Sequence, residues 1–117
     1  MRKPQFQTAI PKKRYQYGEY LITFLDDIVT SEKPAYQYVA AVSLEANPQP
    51  GLYLLCEPNV PTEEHTAQFA LRLLMQDGEK IIAYSDAWGD FNVFATDALN
   101  FLRQILNLAD EQYFEIR

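Results

Sequence analysis

The stretch "TAQFALRLLMQDGEKIIAYSD", residues 66 to 86, decides the fold. Its first half reads two ways. As a helix it places Ala67, Ala70, Leu71, Leu74 and Met75 together, and Leu, Ala, Met, Gln and Arg all favour helix. As a strand it alternates Ala67, Phe69, Leu71, Leu73 and Met75 onto one face. The strand-like "KIIAYSD" follows, and Asp77-Gly78 stands between the two runs. Asp-Gly suits a type I′ hairpin turn, whose two central residues need positive φ. Asp77-Gly78 between two periodic runs therefore predicts a hairpin. A helix over residues 62 to 76 would instead give a four-stranded sheet covered by two helices.

Upstream, residues 19 to 29, "EYLITFLDDIV", are rich in β-branched and aromatic types and lack Gly and Pro, which predicts a strand. Apolar residues on both faces suit a central position. Gly18 is read as a bulge that lets "RYQY" join the same strand. Asp26 and Asp27 then point to opposite faces, as surface charge. Residues 35 to 45 alternate, with Tyr36, Tyr38, Ala40, Val42 and Leu44 on one face. "ANPQPG" reads as a loop and residues 52 to 57 as a short strand that Pro58 stops.

Downstream, Phe91, Phe94, Ala95, Ala98, Leu99, Leu102, Ile105 and Leu106 follow the spacing of an amphipathic helix. Asp90 stands at its N-cap position. "FEIR" at the end is read as a short strand or a frayed end. The class expected is α+β: one domain, residues 15 to 117, with an antiparallel meander of four to five strands packed on a C-terminal helix. Residues 1 to 14 read as a basic extended arm.

Charge is uneven. The arm carries five basic groups and no acidic one, and the remaining 103 residues carry five basic and 16 acidic groups. A +5 arm thus precedes a −11 body. Such a body repels phosphates, so nucleic acid is not an expected partner, and the arm is as well suited to docking on its own body. No apolar run reaches the roughly 18 residues of a membrane helix. The N-terminus lacks the apolar core of a secretory signal, and the single Cys56 excludes an internal disulfide. These features favour a reducing cytoplasm.

Catalytic and cofactor signatures are scarce. Gly18, Gly51, Gly78 and Gly89 stand apart, so no dinucleotide, phosphate-loop or nucleophile-elbow motif can be written. Cys56 and His65 are the only residues of their kinds, too few for a zinc site. As a nucleophile pair they would need a low-pKa thiolate beside the imidazole; Cys56 instead shares a strand face with Leu52 and Leu54, which suits an inert thiol. In "SDAWGD", Asp86 and Asp90 flank the only Trp, Trp88. An acid/base pair would need one carboxyl in an apolar pocket; the simpler reading is a strand end, a covering Trp and a helix cap. No cofactor or metal is expected.

Six of eight tyrosines fall in the first three expected strands. One helix cannot cover both faces of the sheet, so Tyr36, Tyr38 and Tyr53, with Trp88, are the expected binding residues. The function expected is a cytosolic, non-catalytic interaction module that binds a protein partner or itself through a Tyr-rich sheet surface. Two alternatives stand beside it. One is a small enzyme with a cleft between sheet and helix, using Cys56 with His65 or Asp86 with Asp90. The other is an acidic, immunity-like inhibitor of a basic protein.

Overall fold

The computed structural model describes residues 3–31 and 35–116. Strands β1 (Thr8–Tyr17), β2 (Tyr20–Val29), β3 (Tyr38–Leu44), β4 (Asn47–Pro58), β5 (Phe69–Met75) and β6 (Gly78–Ser85) form an antiparallel meander. Helix α1 (Phe91–Ile105) then crosses one face, and β7 (Tyr113–Ile116) returns to pair antiparallel with β1. The sheet order is β6-β5-β4-β3-β2-β1-β7. The α+β class holds, with seven strands among the described residues rather than four or five.

The decisive stretch is a hairpin, and Leu71 and Leu73 face the helix as the alternation predicts. Its turn is not type I′. Gln76 and Asp77 are the loop, both with negative φ, while Gly78 pairs with Met75 and takes φ +142. Gly78 therefore absorbs the conformation that a side chain disfavours. At Gly18 the expected bulge is instead a second tight turn. Gly18 and Glu19 join Tyr17 to Tyr20, so "RYQY" belongs to β1. Gly18 has φ +58, and a Cβ there would stand 3.2 Å from Leu108 Cδ2.

"ANPQPG" also departs from expectation. Only Glu45 and Ala46 turn, and Asn47 to Gly51 belong to β4. That part of β4 lies beyond the pairing with β5, which begins at Leu52. Pro48 and Pro50 are tolerated there because one edge of the strand needs no N–H.

The main core lies between sheet and helix. Phe91, Phe94, Ala95, Ala98, Leu99 and Leu102 pack with Ile22, Phe24, Tyr38, Leu54 and Leu71. The opposite face holds a smaller cluster of Tyr36, Val39, Tyr53, Leu55 and Leu74, against which Phe6, Leu25 and Ile28 pack. The N-terminal segment reaches this cluster because it is tied to the end of β2. Gln7 N donates to Val29 O at 2.7 Å, and Thr30 Oγ1 donates to Gln5 O. On the same face Glu57 is a buried carboxylate. Arg72 donates to its Oε1 from Nε at 3.0 Å and from Nη2 at 2.8 Å, and Arg72 Nη1 lies 3.6 Å from Glu79.

Candidate functional site

The residues of "SDAWGD" hold the end of β6 to the start of α1. Asp86 Oδ1 accepts Gln68 N at 2.8 Å, beside the first residue of β5. Asp90 Oδ1 accepts Asn92 N at 2.8 Å and Val93 N at 3.2 Å, as an N-cap should. Each carboxylate is thus committed to backbone of a different element. Trp88 is buried, its Nε1 donating to Asp97 Oδ2 at 2.9 Å. Between β6 and α1 lies a shallow hollow of about 280 Å³, lined by Ser85, Trp88, Asp97, Asn100 and Phe101 among others. Cys56, His65, Asp86 and Asp90 do not line it.

Cys56 and His65 are not brought together. Cys56 faces the helix from β4 and is fully buried. Burial, and after it the charge of Glu57, pushes the thiol up to about 12. A thiol held neutral at pH 7 is a poor nucleophile. His65, in the loop between β4 and β5, stacks on Tyr84 with ring centroids 4.0 Å apart and planes at 10°. Tyr84 lies opposite Ala70 in the β5–β6 ladder, and Leu71, the next residue of β5, belongs to the helix-side core. Since side chains alternate along a strand, Tyr84 and the stacked His65 lie away from the helix. Among the described residues, no group of three or more His, Cys, Asp and Glu is placed to hold a metal ion.

The tyrosine surface expected from sequence does not form, because the rings are core. Tyr36, Tyr38 and Tyr53 keep only 6%, 5% and 8% exposure. Tyr38 lies under the helix, stacked on Phe94 at 5.3 Å, and its hydroxyl donates to Gly89 O at 3.0 Å. Tyr36 and Tyr53 belong to the cluster on the opposite face. Tyr17 is buried as well, its hydroxyl accepting Arg103 Nε at 2.7 Å. A buried Tyr is acceptable when its polar tip finds a partner at the margin of the core, as Tyr17 and Tyr38 do.

Exposed large apolar side chains lie elsewhere, three of them together on β7. Phe114 is 64% exposed, Ile116 39% and Tyr113 37%. These are three of the four residues of the strand. The fourth, Glu115, lies 3.8 Å from Lys13 Nζ. The connection from α1 sets the position of β7. Asn107 turns the chain with φ +56, Leu108 N donates to Arg103 O at 2.8 Å, and the buried Leu108 anchors the link. Tyr113 then packs edge-on against Tyr15 and Tyr17, with centroids 5.6 Å and 5.3 Å away. Phe114 and Ile116 lie opposite Gln16 and Arg14, away from the helix.

One edge of β7 bonds to β1; the other has no neighbouring strand among the described residues. Of the other open stretches of sheet edge among the described residues, those of β6 and β1 carry features that discourage pairing. β6 has the charged Glu79 and Lys80 and an irregularity opposite Leu71 and Arg72. The part of β1 that β7 does not reach has Pro11, Lys12 and Lys13 and two register shifts. Proline, lysine and bulges are how sheets blunt an edge. β7 has only Glu115.

No protein-family model matches the chain, and comparison with curated proteins and with solved structures finds no match. No helix among the described residues is long and apolar enough to cross a membrane.

Proposed function

We propose that this chain is a non-catalytic interaction module that binds by strand addition at the open edge of β7. The observation that carries the reading is Phe114, with its strand neighbours Ile116 and Tyr113, exposed on a strand whose outer edge has no neighbour among the described residues. An added strand gains main-chain hydrogen bonds, and the apolar side chains supply the contact area. The fully buried, neutral Cys56 and the structural use of Asp86 and Asp90 favour a binding role over a catalytic one. An unpaired cysteine also suits work in a reducing cytoplasm.

A photo-reactive phenylalanine at position 114, expressed in the native host, tests this. Ultraviolet light should yield a discrete protein adduct from position 114 and none from position 60, where the exposed Val60 lies in a loop. The absence of any adduct from 114, or the same adducts from both positions, would overturn the reading.

A further inference from the structure

Charged side chains stand at the two ends of β7. Asp110 and Glu111 lie just before the strand, both exposed. At its far end Arg14 lies opposite Ile116, with Lys13 next along β1. Arg14, Asp110 and Glu111 make no ion pair among the described residues. One end of β7 is therefore acidic and the other basic. A strand running antiparallel and carrying the same pattern would meet both ends with opposite charge.

We propose that the strand added at β7 is β7 of a second copy of this chain, related by a two-fold axis beside Phe114. This inference rests on the strand-addition reading above. The whole chain carries −6, so two copies repel by most approaches. The β7 pairing brings Asp110 and Glu111 of each copy to the Arg14 end of the other. A two-fold contact is self-complementary, so this attraction occurs twice.

The same chemistry sets the register. A two-fold axis normal to the sheet keeps both helices on one side of a continuous sheet, so each residue meets one on its own face. Centring the axis on Glu115 would set two carboxylates against each other, and like charges directly opposite are destabilising. Centring it on Phe114 sets the two Phe114 rings together and Glu115 across from Tyr113 of the second copy. Centring it on Tyr113 or Ile116 leaves less of the four-residue strand paired.

Sedimentation equilibrium on the full chain tests the proposal. At low salt the chain should form a dimer, and raising the salt to roughly 0.5 M should weaken it by about tenfold, because exposed charge pairs are screened. Arg14→Glu makes both ends of β7 acidic, and Asp110→Lys with Glu111→Lys makes both ends basic. Each variant should be monomeric alone, and a 1:1 mixture should give a heterodimer. Phe114→Asp should be monomeric at any salt. Circular dichroism would confirm that each variant is folded. A wild-type chain that is monomeric at roughly 100 µM overturns the proposal, since specific dimers of useful affinity form well below that. So does a mixture of the two charge variants that fails to pair. If position 114 cross-links to another protein and never to a second copy, strand addition stands and the homodimer falls. The absence of any adduct removes both.

Discussion

Phe94→Ala is expected to cost about 3–5 kcal/mol of folding stability, the range for truncating a buried aromatic. Phe94 is fully buried at the middle of the sheet–helix core. Its ring stacks on Tyr38 at 5.3 Å and meets Phe24 and Trp88 edge-on at 6.0 Å and 6.2 Å. Ala would leave a cavity walled by three aromatic rings, none of which can move far. Tyr38 is tied to Gly89 O and Trp88 to Asp97, and Phe24 is held in the middle of β2. A domain of this size has a total stability of roughly 5–15 kcal/mol, so the loss is a large fraction of it. The urea midpoint should fall accordingly. Val93→Ala, one residue away on the exposed side of α1, should change stability by no more than about 0.5 kcal/mol. A Phe94→Ala loss below about 1 kcal/mol would show that this ring is not central to the core.

Arg72→Met should cost about 3 kcal/mol for a different reason, the range for removing one partner of a buried ion pair. The Glu57 side chain is only 6% exposed, and Arg72 supplies two N–H donors to one of its oxygens. Met has similar length and apolar character, so packing is largely kept while the countercharge is lost. The cost is that of a carboxylate left in a low-dielectric site. Combining Arg72→Met with Glu57→Gln removes that charge, and the double variant should recover about half of the loss or more. A single variant that unfolds at the parent's urea concentration would mean that Glu57 is solvated and that the pair is incidental.

Much of this fold could be read from residue patterns. "DG" marks the hairpin at 66 to 86, and spacing and cap mark the helix from Asp90 onward. Where the reading failed, the failures have physical causes. β1 contains Pro11, Lys12 and Lys13, residues depleted in central strands but usual at edges, so it resembled an arm rather than a strand. β7 is four residues long, too short for its period to register. Turn chemistry at Gly78 was right in residue and wrong in place. Gly takes the positive φ after the two-residue loop, and no sequence rule separates the two positions in "QDGE".

The site was less legible than the fold. Alternation placed Tyr36 with Tyr38, but β3 begins at Tyr38, and Tyr36 packs on the other face. Counting one helix against two sheet faces implies exposed tyrosines on the uncovered face. The N-terminal segment covers part of that face instead, bringing Phe6 onto it. Phe114 and Ile116 were visible only as a possible last strand, because exposure on an unpaired edge depends on where β7 joins the sheet. The charges that frame it, Arg14 and Asp110, are 96 residues apart in sequence and meet at one strand only through the return of β7 to β1.

The most direct test of the central claim, that β7 is the pairing edge and a second copy its occupant, is amide hydrogen exchange across a concentration series at low salt. The alternate amides within Tyr113 to Ile116 whose N–H groups point to the open edge should slow as concentration rises, while those of Lys80 to Ala83 on the opposite edge keep their rates. Protection that grows on β6 instead, or exchange in β7 that is the same at every concentration, would contradict it.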